Sequence, residues 1–288
     1  MKVRRIIVLS LIISVLCVFT AGCTDKKAEE KNGSVKQTVT LESNETTDKD
    51  NTGGAEEKST AKMPITKNDS GKTLIQRVST DKTYSNTFMI TSKSGTVVIA
   101  DPYTMPDGII KSVDTICSTH THYDHVDAIF SDQFNCKKSL GKAENFKVKD
   151  ISITSIASSH DDLEISPENP TNVIYIFEVD GLRIAHMGDI GQESLTDEQI
   201  KQLGKIDIAF MQFENSYSNM SLENEKGLKL IEQLKPQIII PTHSSADATK
   251  KIGEIAGKLE TVENIFEVSK DDLKDSGRKV IDLINTLY

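Results

Sequence analysis

From Lys72 onward, apolar and polar residues alternate in short blocks, and the blocks change character half-way along. "KTLIQRVST", "SNTFMITS", "GTVVIADP" and "VDTICS" are brief, β-branched runs separated by Gly, Asn, Asp and Pro, the pattern of a meander of strands. "VKDISITSIASSH" (148–160) alternates with a period of two and predicts a further strand that delivers His160 at its end. "NVIYIFEVDGLRIAHMGD" (172–189) predicts a hairpin, with Asp180-Gly181 as the tight-turn dipeptide and Gly188-Asp189 closing the second arm. Helical spacing then enters. Thr196 and Gln199 fit a capping box that opens "TDEQIKQLG", with Gly204 as its stop. "KIDIAFMQF" predicts a buried strand, and Ser221 is placed to cap "LENEKGLKLIEQLK", whose Leu228, Ile231 and Leu234 recur at helical spacing. "PQIIIPTH" predicts a strand ending at His243; a short helix ("ATKKIGEIAGKL"), a strand ("NIFEVS") and an amphipathic segment ("RKVIDLINTLY") complete the chain. Strands first and strand–helix alternation later describe a layered α/β domain.

The first 71 residues follow a different rule. Lys2, Arg4 and Arg5 precede an apolar run from Ile6 to Thr20 and then Ala21-Gly22-Cys23, the layout of a secretory signal. The run falls short of the roughly 20 apolar residues of a comfortable membrane-spanning helix. "TAGC" resembles the lipobox of bacterial lipoproteins, which makes 1–22 a signal peptide and Cys23 the lipidated residue. Two acyl chains suffice for stable anchoring, so the expected location is extracytoplasmic, on the bacterial cell membrane. Residues 24–71 are Lys, Glu, Asp, Thr, Ser, Asn and Gly with scarcely an apolar side chain, and such a composition cannot offset chain entropy by burial. Residues 23–71 are therefore expected to form a disordered tether, with ends about 40 Å apart on average. The globular domain is expected at 72–288, long enough to bury about 70% of its unfolded surface.

The chain carries a net charge of −9, mostly in this domain, and has no basic runs. That argues against a nucleic-acid partner. Of four cysteines, Cys17 and Cys23 belong to the leader; Cys117 and Cys136 are either a disulfide or two buried thiols. Oligomeric state leaves no signal.

Three of the six histidines fall in "STHTHYDH" (118–125), directly after the "VDTICS" strand. His120, His122, Asp124 and His125 offer four donors in six residues. Imidazole and carboxylate together suit Zn(II), Mn(II) or Fe(II) rather than calcium. Asp124 and His125 cannot easily address the ion that His120 and His122 address, and a loop turning into a helix would aim the pairs at two ions about 3.5–4 Å apart. His120, His160, Asp189 and His243 each follow an apolar strand-like run, so they are expected to converge at one sheet edge.

These segments together closely resemble the metallo-β-lactamase superfamily, in its lactonase-like branch of metal-dependent hydrolases, over residues 75–245. "THTHYDH" looks like its metal motif, "VVIADP" like its early strand ending in Asp, "DGLRIAHMGDIG" like its Gly-Asp segment and "PQIIIPTHS" like its final-histidine segment. The resemblance implies a four-layer αββα sandwich, with two mixed β-sheets flanked by helices. It implies one metal on His120, His122 and His160, a second on Asp124, His125 and His243, and Asp189 bridging them. Asp101 would hold the loop or a ligand histidine by hydrogen bond. His186 lies three positions before Asp189 and should face away from it on a regular strand, which points to a structural or substrate-facing role, with His186 the substitute ligand if His160 does not serve. Tyr123, Tyr217, Glu214, Asn215 and Ser244 are open between packing and substrate contact, and Asp127 reads as a helix first-turn acid.

The implied activity is hydrolysis of a small ester, lactone or phosphate ester by a metal-bridging hydroxide. Asp124 would orient the nucleophile and pass a proton to the leaving group. Two divalent metals are required, with Zn(II) first among the candidates. Asp189 stands where zinc β-lactamases often carry Cys, which argues against antibiotic hydrolysis. The competing reading is a non-catalytic surface lipoprotein that binds metal or ligand.

Overall fold

Short β-branched runs become strands here because each finds a neighbour to satisfy its ladder and a partner layer to cover its apolar face. The computed structural model describes residues 68–81, 86–161, 164–274 and 276–286. The signal peptide, Cys23 and residues 23–67 of the expected tether lie outside the described residues. The chain lays down β1 (Thr73–Arg77), β2 (Phe88–Thr91), β3 (Val97–Ala100), β4 (Thr115–Ser118), α1 (Ala128–Ser131), β5 (Lys137–Leu140), β6 (Asn145–Val148) and β7 (Ile151–Ser158). It continues with β8 (Asn172–Val179), β9 (Leu182–His186), α2 (Asp197–Leu203), β10 (Ile208–Gln212), α3 (Lys226–Leu234) and β11 (Ile238–Thr242). It closes with α4 (Ala246–Ala256), β12 (Lys258–Glu263), β13 (Phe266–Val268) and β14 (Lys279–Ile284).

Two mixed sheets result. One runs β13-β1-β2-β3-β4-β5 and the other β12-β14-β11-β10-β9-β8-β7-β6. In the first, β1, β2 and β3 pair antiparallel before β3, β4 and β5 turn parallel. In the second, β6 to β9 form an antiparallel meander, whereas β9, β10, β11 and β14 are parallel. Because β7 and β9 are both antiparallel to β8, strands β7, β9 and β11 all run the same way and end at the same edge.

Period-two alternation fixes the layers. Val173, Tyr175 and Phe177 of β8 enter the core between the sheets, with Phe88, Ile90 and Val98 opposite. Ile174 and Ile176 of the same strand face the other way, into a second cluster with Leu203 of α2, Leu230 and Ile231 of α3 and Ile252 of α4. A third cluster packs Met89, Ile99 and Ile116 of the first sheet beneath Phe130 of α1. Helix, sheet, sheet, helices: this is the αββα arrangement expected.

Several local expectations are met. Thr196 and Gln199 form the reciprocal capping box, and Gly204 ends α2. Asp180 and Gly181 take φ of 53° and 82° in the β8–β9 turn. Others change. The third helix starts at Lys226, four residues after Leu222, because Ser221 and Asn224 exchange side-chain hydrogen bonds in a preceding turn. The "RKVIDLINTLY" segment is strand β14, with Ile281 and Leu283 facing the inter-sheet core and Val280 the helical side. Strand β12 escaped the pattern because "KLETVE" is an edge strand paired only with β14, without an unbroken apolar run. Asp127 is the N-cap of α1 rather than a first-turn acid, accepting from the Phe130 amide. Cys117 and Cys136 are free thiols on opposite faces of the first sheet, one in the inter-sheet core and one against the α1 side. Residues just before β1 are already tied down, since Asn68 donates to the Ser92 carbonyl at 3.0 Å. No helix among the described residues is long and apolar enough to cross a membrane.

Candidate metal centre

Strand ends build the site. Asp101 follows β3, the 119–125 loop follows β4, His160 follows β7, Asp189 follows β9 and His243 follows β11. A 3-10 turn at Tyr123–His125 forms the second half of the loop, which carries Asp124 and His125. The result is two clusters of potential ligand atoms: His120, His122 and His160 in one, and Asp124, His125, Asp189 and His243 in the other.

Asp189 stands between them. Its Oδ2 is 3.9 Å from His120 Nε2 and 3.6 Å from His160 Nε2, while its Oδ1 is 3.4 Å from His125 Nε2 and 3.1 Å from His243 Nε2. Asp124 reaches to 3.8 Å from His125 Nε2. The buried Nε2 atoms of His125 and His160 and the buried Oδ1 of Asp189 have no hydrogen-bond partner. Leaving such atoms unpaired normally costs ~1–3 kcal/mol each, and divalent cations between the clusters would satisfy them. The donor set of nitrogen and carboxylate oxygen fits such ions.

Burial and neighbouring charges act differently on the individual histidines. Burial, then the neighbouring His125, pushes the His120 imidazole down to about 3, which leaves its nitrogen unprotonated. His122 is also lowered, by burial and by His160. Burial alone would lower His125 as well, but the carboxylates of Asp101 and Asp189 outweigh it and raise it well above its ordinary value. Asp189 is held well below the usual carboxylate range, since the His125 charge and its histidine neighbours overcome the opposing effect of burial.

Behind the ligands lies a polar scaffold. Asp101, fully buried and at φ 48°, accepts from the Thr119 amide at 2.6 Å, the Thr119 hydroxyl at 2.9 Å and His125 Nδ1 at 2.8 Å. Burial would raise its pKa, yet His125 and His186 hold it far below the ordinary value. His186 belongs to neither ligand cluster. It packs edge-on against the stacked pair of Phe88 and Phe210, with Nε2 3.0 Å from Asp101 Oδ2 and Nδ1 accepting from the Gly188 amide.

The motif reading did not single out Thr119, Asn172 or Asn86, and left Asn215 open. Asn215 donates to Asp189 Oδ2 at 2.7 Å and to Gln212. Asn172 accepts from the Asp189 amide and donates to Ser158 and to the Met187 carbonyl, tying the β7 and β9 ends together. Asn86 accepts from the His243 amide and contacts its Nε2. Asn215 follows β10 as His243 follows β11, so the strand-end rule could have found it; Asn86 precedes a strand and carried no signal.

The centre opens into a cleft of about 320 Å³ lined by Asp81, Tyr103, Tyr123, Asp124, Glu214, Asn215, Ser216, Tyr217 and His243. Tyr123 and Tyr217 are thus placed at its rim, 79% and 86% exposed. Glu214 lies there too, its Oε2 accepting from the Ser245 amide. Ser244 instead bonds Thr249 and lines a neighbouring hollow.

A family model of the beta-lactamase superfamily domain matches residues 81–243. Among solved structures, the chain is similar to a Thermotoga maritima protein assigned as a Zn-dependent hydrolase of the metallo-β-lactamase superfamily. That likeness has a TM-score of 0.55 and 18% identity, over 74% of this chain and 100% of the other. It is also similar to the metallo-β-lactamase fold protein YhfI of Bacillus subtilis, with a TM-score of 0.50 and 11% identity over 73% and 96% of the two chains. No curated protein sequence matches it. The chain belongs to the β-lactamase superfamily, and its αββα architecture is that of the metallo-β-lactamase-fold structures it resembles.

Proposed function

We propose that this member of the β-lactamase superfamily holds two divalent cations, Zn(II) first among the candidates, and hydrolyses a small ester, lactone or phosphate ester. The observation that carries the reading is the division of the Asp189 carboxylate, one oxygen toward His120 and His160 and the other toward His125 and His243. His120, His122 and His160 would hold one ion; Asp124, His125 and His243 the other; Asp189 would serve both. Bound there, such ions supply Lewis acidity and make water acidic enough to act near neutral pH.

The chain's own residues do the rest. Asn215 and Asn172 fix Asp189 from its side chain and its backbone. Asp101 orients His125 through Nδ1, leaving Nε2 directed at the centre. Asp124 lines both the centre and the cleft, so it is positioned to orient the attacking water and return a proton to the leaving oxygen. At about 320 Å³ the cleft has the scale of a small-molecule site rather than a polymer groove.

The test is metal content and turnover on one preparation. The full chain is stripped of metal, reloaded with Zn(II) or Mn(II), and assayed on carboxylic esters, lactones and phosphodiesters beside Asp189→Ala. Two ions per chain and turnover that both fall in Asp189→Ala support the reading. Two ions per chain with no turnover on any bond type would leave the non-catalytic metal-binding lipoprotein in its place.

We further propose that Cys23 carries the lipid that holds the protein on the outer side of a bacterial membrane. The basic, apolar and small-residue order of residues 1–23 supports this. Cys23→Ser should release the chain from the membrane fraction; unchanged association would refute the anchor.

A further inference from the structure

The walls of the cleft differ from its floor. Above the histidines and Asp189, the rim is made of three tyrosines, Tyr103, Tyr123 and Tyr217, and two acids, Asp81 and Glu214. Tyr103 and Tyr123 meet edge to face, with ring centroids 6.1 Å apart. Tyr123 and Tyr217 are among the most exposed large side chains of the described residues. Leaving such rings in water is unfavourable unless something covers them. No lysine or arginine lines the cleft among the described residues.

Aromatic faces alone would accept any apolar group. Carboxylates beside them change the preference, because a ring's negative face and a nearby acid both attract a cation. They also repel an anion at the same position. The Tyr103 hydroxyl is harder to ionise than an ordinary phenol, through burial first and then the neighbouring Asp81, Tyr123 and Asp124.

We propose that the part of the substrate away from the scissile bond is cationic, a quaternary or protonated amine received among Tyr103, Tyr123 and Tyr217 with Asp81 and Glu214 as counter-charges. This rests on the hydrolase reading of the same site. The ester end lies at the histidine clusters and the cationic end at the rim.

The probe is a matched pair that differs in charge and not in shape: choline against 3,3-dimethylbutanol. Each alcohol is titrated into the Zn(II)-loaded full chain and followed by the ring resonances of the tyrosines. Each is then presented to the metal-loaded chain as its acetate and as its p-nitrophenyl phosphodiester. Choline should bind about tenfold more tightly, and its esters should be preferred about tenfold in kcat/KM. Both preferences should shrink in Tyr217→Ala and in Asp81→Asn. Equal binding of the two alcohols, or equal kcat/KM within a pair that turns over, overturns the inference while the hydrolase reading stands. Preferential binding of choline with no turnover of any of the four esters leaves the cation site standing and counts against the hydrolase reading.

Discussion

Replacing Asp101 by Asn isolates what the buried carboxylate does for a centre it never enters. Asn tolerates the left-handed backbone at φ 48°, so the loop itself is not strained by the change. The hydrogen bonding cannot be preserved. Oδ1 receives the Thr119 amide at 2.6 Å, and Oδ2 receives the Thr119 hydroxyl and His125 Nδ1 at 2.9 and 2.8 Å, with His186 Nε2 at 3.0 Å. Whichever way the amide is turned, its NH2 faces at least one donor. Losing one charge-assisted hydrogen bond costs ~1.5–3 kcal/mol. For a domain of this size each kcal/mol lowers Tm by roughly 2–4 °C, so a fall of about 3–12 °C is expected for the metal-free chain. The effect on the centre is larger in kind: His125 loses the partner that orients its ring, and residues in such supporting positions typically govern metal affinity by about 10–100-fold. The assay is competition for Zn(II) against a chromophoric chelator, on protein whose circular dichroism shows native folding at the assay temperature. Metal affinity within about twofold of the parent would refute the assignment of Asp101 as the residue that sets His125.

Three further substitutions test the frame. In Gly188→Ala, the new Cβ would lie 2.4 Å from Asn172 Oδ1 and 2.7 Å from Thr119 Cβ at φ 57°; a stability loss of about 3 kcal/mol is expected in urea unfolding, with weakened metal binding. An unperturbed variant would mean the Gly188 turn is not needed to place Asp189. Tyr175→Phe removes a hydroxyl that donates to Ser139 Oγ at 2.8 Å, which donates in turn to Glu144 at 2.6 Å, a relay joining β8 of one sheet to β5 of the other. About 1–2 kcal/mol of stability should go with it while metal stoichiometry is unchanged; altered stoichiometry would contradict a purely inter-sheet role. Glu144 itself has a lowered pKa: burial opposes the shift, but the Ser139 hydroxyl and the Lys137 ammonium overcome it. A folded value below the ordinary 4.5 contributes stability above that pH, lost as pH falls through the folded value. Glu144→Gln should therefore have a lower urea midpoint than the parent at neutral pH, with the gap closing in acid; a gap that persists in acid would refute the linkage.

Much of this protein is legible without coordinates, because the features concerned are local. Period two in "NVIYIFEV" assigns Tyr175 to one face and Ile174 to the other whatever lies opposite, and the Thr196–Gln199 box needs only four residues to close. The strand-end placement of His120, His160, Asp189 and His243 is likewise visible, since an apolar run stopping at a donor is a property of a few consecutive positions. What stayed hidden is what depends on distant neighbours. Strand β12 is polar because it is an edge, and nothing within "KLETVE" records that β14 lies beside it. Asn86 and Asn172 are ordinary loop and strand-end residues until folding sets them against His243 and Asp189. The shared direction of β7, β9 and β11 decides that their ends meet at one edge. Donor chemistry is written in residue types, but whether seven donors face one space is a matter of sheet order and strand direction, which only long-range packing selects.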